Sequence, residues 1–142
     1  MKQQLSVITL PVNDLAVTRR FYCDGLGWQP VFINDEVMFI QLNGLVMSFF
    51  HRAAYEQDAG VDYRPGGHTC VLSHNVASPA EVDAVYAEAL AAGAQPQKRP
   101  AMTPWGGYAG HFRDPDEHLW EIAHNPAWPI SPEGYVTCIA PE

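Results

Sequence analysis

The residues best equipped for chemistry are His68, at the head of the apolar segment HTCVLSHNV, and Glu121, inside LWEIAH. An oriented imidazole with a carboxylate partner titrates in the range useful at neutral pH, so the pair could act as an acid/base dyad without any metal. A plain His68–Glu121 hydrogen bond is the alternative that asks for no chemistry. His74, His111 and His124 lie in or beside the same segments. No nucleophile motif accompanies the pair.

Strand alternation sets His68, Cys70 and Leu72 on one face. Leu119, Glu121 and Ala123 share a face of another strand, with Trp120 and Ile122 packing under helices. The prediction is that His68 and Glu121 look into one concave cavity, where a carboxylate is costly to desolvate unless it is paired. Trp105-Gly106-Gly107-Tyr108 sets two large aromatics beside flexible glycines, a pattern that suits a loop over a flat ligand or packing at a rim. Cys23, Cys70 and Cys138 are odd in number and lack CxxC spacing, so they read as reduced thiols.

Elements must position these groups, and 142 residues suffice for one domain with one core. A hydrophobic share of 47% against a charged share of 17% argues for a chain that folds rather than one that stays disordered. The net charge of -8, with no Lys/Arg cluster, argues against a nucleic-acid partner. No apolar run reaches the length of a membrane span and the N-terminus lacks signal-peptide organisation, so the expected location is cytoplasmic.

The pattern along the chain repeats. LSVITLPV reads as a strand, and Asn13 and Asp14 are N-cap types opening a helix that ends near Gly25 or Gly27. Strands follow over residues 28–33, 37–42 and 45–51, the last two joined by the hairpin signal Asn43-Gly44. Residues 52–66 have no clean period and read as a linker. A strand over residues 68–76 then leads to the capping box Ser78-Pro79-Ala80-Glu81, a helix ending at Gly93, and strands over 95–99, 108–113 and 118–124. The reading is a single α+β domain of two βαβββ modules, about residues 5–51 and 67–124, followed by a proline-punctuated tail over 125–142 that lies along the domain or a partner subunit.

Overlaid without a gap, His68-Thr69-Cys70-Val71 falls on Val7-Ile8-Thr9-Leu10 and Asn75-Val76 on Asp14-Leu15, an offset of 61 residues. At the other end, aligning Asn43-Gly44 with Asp116-Glu117 sets Ser48 opposite Glu121.

With LPVNDL entering a helix that ends FYCDGLGW, and WGGYAGHFRDPDEHLWEI downstream, the chain resembles the vicinal-oxygen-chelate superfamily of glyoxalases, bleomycin-resistance proteins and extradiol dioxygenases over roughly residues 5–125. The resemblance implies two βαβββ modules forming an incomplete eight-stranded barrel around a cavity. It further implies a homodimer, and a divalent metal held by one residue from the first and last strands of each module. Those positions fall on Val7, Ser48, His68 and Glu121, of which only His68 and Glu121 match the family's His and Glu. Valine offers no lone pair and serine is a weak neutral donor, so a full metal site is disfavoured. Where the family's hairpin commonly carries glycine this chain has Glu117.

Two functions fit. One is a binding protein of the antibiotic-resistance kind, holding a small organic ligand in a cavity that draws on Val7, Ser48, His68, Trp105, Tyr108, His111 and Glu121. The other is an enzyme of the family, a glyoxalase-type lyase or isomerase or a ring-cleaving dioxygenase, using a divalent metal or a metal-free Glu121/His68 pair.

Overall fold

The computed structural model of the chain describes residues 6–64 and 70–138. Strand β1 (Val7–Val12) enters α1 (Leu15–Arg19), whose N-cap Asp14 accepts a hydrogen bond from the Ala16 amide at 2.8 Å. The helix does not stop at Arg19 but widens into a π-helical segment, Arg20–Gly25, that buries Phe21 and Tyr22. Strands β2 (Pro30–Ile33), β3 (Val37–Gln41) and β4 (Val46–His51) complete the first module, with Gly44 taking the positive φ of 96° that the Asn43-Gly44 turn requires.

The second module repeats the order. Strand β5 (Leu72–Asn75) leads to α3 (Pro79–Ala92), where Ser78 Oγ accepts from the Glu81 amide and Glu81 reaches back to the Ala77 amide. Strands β6 (Gln95–Met102), β7 (Tyr108–Arg113) and β8 (Leu119–His124) follow. The fold is thus the expected α+β arrangement of two βαβββ units. The strands form two four-stranded sheets, ordered β1-β4-β3-β2 and β5-β8-β7-β6, and no closed barrel. In each sheet the first strand runs parallel to the last and the remaining pairs are antiparallel.

The connection expected over residues 52–66 is not all irregular, because Arg52–Ala59 forms helix α2, closed by Gly60 at φ 68°. None of its residues is buried, so it has no apolar stripe for a periodicity argument to detect. It is held by the Arg52–Glu56 ion pair at 2.9 Å and by the following chain, whose Tyr63 amide donates to Glu56 while its carbonyl accepts from Arg52. Strand β6 runs three residues past the expected end at Arg99, through a bulged stretch where Pro100 sits against Gly110.

The core joins the modules through their helices. Phe21, Tyr22, Met38 and Phe49 of the first module are buried with Val82, Phe112 and Ile122 of the second. The approach is tight at Gly25, where an added Cβ would fall 2.5 Å from Ala92 Cβ. A polar clasp lies alongside. Tyr22 donates its hydroxyl to Asp114 at 2.7 Å and accepts from Trp120 Nε1 at 3.0 Å. Asp116 Oδ1 accepts from both the amide and the side chain of Asn13. The Asp114-Pro115-Asp116 turn, legible in the sequence as a hairpin, therefore also binds one module to the other.

The tail folds back on the domain. Ile130 and Val136 pair, the turn between them is tied by Ser131, and Asn43 Nδ2 donates to the Gly134 carbonyl at 3.0 Å. Among the described residues no helix is long and apolar enough to cross a membrane.

Candidate functional site

On the open face of the second sheet, Glu121 on β8 sits between Ser73 on the parallel neighbour β5 and His111 on the antiparallel neighbour β7. Ser73 Oγ donates to Glu121 Oε1 at 2.9 Å, and His111 Nε2 lies 3.3 Å from Oε2. The register dictates this meeting, since residues directly opposite on neighbouring strands present their side chains on the same face. The carboxylate is thus paired on both oxygens while about a quarter of its side-chain surface stays exposed. The imidazole Nδ1 is buried and has no partner among the described residues, whereas Nε2 faces the acid. A carboxylate fixed in this way can accept hydrogen bonds from a ligand, pair with a cation or take up a proton.

The same register in the first module fixes what lies at the equivalent positions. Ser48 on β4 is flanked by Thr9 on β1 and Phe39 on β3, just as Glu121 is flanked by Ser73 and His111. The open face there is apolar: a groove of about 330 Å³ is lined by Val7, Val31, Phe32, Phe39, Gln41 and Val46. A second groove, of about 460 Å³, runs beside Ser73 between β5 and the tail, touching Asn43, Asn75, Glu133 and Tyr135.

These registers correct the repeat alignment. Thr9 and Ser73 are equivalent by strand pairing, and Asp14 and Ser78 by helix capping, and both pairs are 64 residues apart rather than 61. The gapless overlay had matched Asp14 to Asn75, three residues short of the residue that caps α3. The counterpart of Val7 is therefore Val71, and the four positions that would carry the family metal hold Val7, Ser48, Val71 and Glu121. His68 lies outside the described residues. Over the described part of that segment the predicted facing is reversed, because Ser73 shares the face of Glu121 while Leu72 packs against the core.

A divalent ion does not fit this donor set. Two valines and a serine leave one carboxylate, and that carboxylate is already bonded at both oxygens. Among the described residues no three of His, Cys, Asp and Glu gather closely enough to hold a metal ion.

One further predicted cavity residue lies elsewhere. Tyr108 is on the helix side of β7 and donates its hydroxyl to Asp83 of α3 at 3.0 Å. Trp105 is half exposed in the turn before β7, with its ring lying where a Gly107 side chain would stand. His124 turns its Nδ1 toward the Val76 carbonyl, and His74 lies on the helix side of β5. Ser73 was missed as a site residue. The signal for it was the Ser78 capping box, which sets the register that brings Ser73 opposite Glu121.

Comparison with known proteins bears on the same elements. The sequence profile of the Glyoxalase/Bleomycin resistance protein/Dioxygenase superfamily matches residues 4–122. A glyoxalase-related enzyme from Fulvimarina pelagi is 44% identical, with a TM-score of 0.91 over 97% of this chain and 99% of its own. A glyoxalase/bleomycin resistance protein/dioxygenase family enzyme from Burkholderia phytofirmans PsJN is 24% identical, with a TM-score of 0.75 over 85% of this chain and 98% of its own. A lactoylglutathione lyase from Agrobacterium tumefaciens shares the fold at 19% identity and a TM-score of 0.68, over 88% of this chain and 96% of its own. No curated protein matches the sequence. With the profile spanning both modules, this chain belongs to the glyoxalase/bleomycin resistance protein/dioxygenase superfamily.

Proposed function

We propose that this chain binds a small organic molecule against the open face of its second sheet, without the four-ligand metal centre of its superfamily. The observation that carries the reading is Glu121, partly exposed and held by Ser73 and His111. Such a carboxylate selects ligands that present a hydrogen-bond donor or a positive charge. The donor set at Val7, Ser48, Val71 and Glu121 supports the metal-free part of the reading.

The wall opposite Glu121 comes from a second copy in this reading. The apolar face of the first module leaves Val31 72% and Phe32 49% exposed. A twofold-related copy would lay that face over the partner's Ser73–Glu121–His111 cluster and receive the reciprocal cover, as a self-complementary interface does. Each ligand site would then lie between two chains.

A second reading rests on the same contact. Glu121 could take a proton from the hydroxyl-bearing carbon beside a carbonyl and, as the hydroxyl proton passes to the carbonyl oxygen through an enediol, return it to the former carbonyl carbon, an isomerisation that needs no oxidant. His111 replaces His68 as the described imidazole in that pairing. The enzyme from Fulvimarina pelagi keeps this reading in view.

The test is a thermal-shift screen of small organic ligands against wild type, Glu121→Gln and Phe32→Asp, with sedimentation of each. Ligands that stabilise wild type, lose their effect in Glu121→Gln, and fail on a Phe32→Asp monomer are the expected result. Stabilisation that survives both substitutions places the ligand elsewhere and sinks the proposal. Hydrogen–deuterium exchange at the α-carbon of a bound carbonyl ligand, absent in Glu121→Gln, would add the catalytic reading.

A further inference from the structure

Behind the open face, on the helix side of the same sheet, the π-helical segment and α3 do not close completely over β5, β7 and β8. The gap is a cavity of about 120 Å³. Its walls are Phe21, Trp28, Phe112 and Trp120, and His74 and Glu88 supply its ionisable groups. Trp28 and Trp120 meet edge to face with centroids 6.0 Å apart, and Phe112 stacks on Trp120 at 6.4 Å with the planes 10° from parallel. These rings are fixed from behind, because Trp120 Nε1 is spent on Tyr22.

We infer that this aromatic box is a second ligand site, taking the apolar body of a small primary amine, with the ammonium group beside Glu88 and His74. Size sets the first limit. An apolar cavity of about 150 Å³ accepts one benzene molecule, so this one, at about 120 Å³, holds no more than a single ring, with any polar group at its mouth. Charge sets the second. Aromatic faces carry negative potential that attracts cations, and Glu88 adds a formal negative charge at the edge. Glu88 and His74 both line this cavity. Burial holds the His74 imidazole below its ordinary value against the pull of Glu88, so at neutral pH the ring adds no positive charge to repel an amine. An anionic ligand would be repelled by the Glu88 carboxylate.

This site does not depend on Glu121. Ser73 and His74 are neighbours in sequence but point to opposite sides of β5, as Glu121 and Ile122 do on β8. It therefore survives the failure of the open-face reading.

The experiment titrates the full chain with benzylamine and, separately, with toluene, following tryptophan fluorescence and heat of binding. The variants are Glu88→Gln, which is exposed and leaves the walls intact, and Ala89→Met, which fills the cavity from α3. Val85→Phe is the filling variant should Ala89→Met fail to fold. The expected result is saturable binding of benzylamine, weakened by about fivefold in Glu88→Gln, as one partly screened ion pair allows, and abolished by filling. Toluene binding as tightly as benzylamine would overturn the amine assignment. Absence of saturation at millimolar benzylamine, or binding unchanged in a folded filling variant, would overturn the site.

Discussion

Tyr22 of the first module donates its hydroxyl to Asp114 of the second at 2.7 Å, with both residues about 1% exposed. The bond crosses 92 positions of sequence and closes the seam between the two halves of the repeat. Replacing Tyr22 with Phe would leave Asp114 and the Trp120 indole each short of a buried partner. The expected loss is about 1–3 kcal/mol of folding stability, read by equilibrium denaturation. An unchanged denaturation midpoint would show that the seam does not depend on this bond.

Asp114 also imposes a pH dependence. Burial, joined by the neighbouring Asp116 charge, raises its carboxyl above the ordinary carboxylate range against the lowering pull of His118, the Tyr22 hydroxyl and the His118 amide. A raised acid binds more protons folded than unfolded, so its contribution is complete below the unfolded value and is lost as pH rises through the folded one. Stability of wild type minus that of Asp114→Asn should therefore fall with rising pH in the window just above the ordinary Asp range. A difference that is flat or rises through that window contradicts the assignment.

Gly25→Ala is predicted to push the π-helical segment away from α3, because the new methyl meets Ala92 Cβ at 2.5 Å and its Cα at 3.2 Å. Overpacking of this kind costs about 1–3 kcal/mol. Amide exchange along α3 should quicken in the same variant, and exchange rates equal to wild type would show that the contact yields at no cost.

Glu117 is the one non-glycine described residue with positive φ, at 69°, in the hairpin that leads into β8. Glu117→Gly removes that strain at the loss of a 3.8 Å ion pair with Arg113, and should raise stability by up to about 1 kcal/mol. Thermal denaturation decides it, and a lowered melting temperature would mean that the ion pair or the stiffer chain outweighs the strain.

Zinc, nickel, manganese and iron(II) titrated into the protein should produce no stoichiometric binding that His111→Ala or Glu121→Ala removes. Elemental analysis of the purified protein gives the same information without titration. One metal per chain, lost in both variants, would overturn the metal-free reading.

The modules and the capped helix α3 were legible because each rests on a local rule. Ser78 and Glu81 form a capping box, and Asn43-Gly44 makes the turn its sequence specifies. The site was harder, because Ser73, His111 and Glu121 meet only through strand register. A gapless overlay hid that register, and the helix cap at Ser78, already visible in the sequence, would have corrected it by three residues. Helix α2 escaped notice for a different reason: an exposed helix held by Arg52, Glu56 and Tyr63 shows no hydrophobic period.

Thr9, Ser48 and Phe39 stand in the same strand register as Ser73, Glu121 and His111. The backbone that presents a held carboxylate is thus built twice in this chain, and only one copy is furnished with the side chains to use it. What separates a wall from a reactive surface here is three side chains on a shared scaffold. Either half of such a duplicated protein can gain or lose chemistry while the other keeps the fold intact.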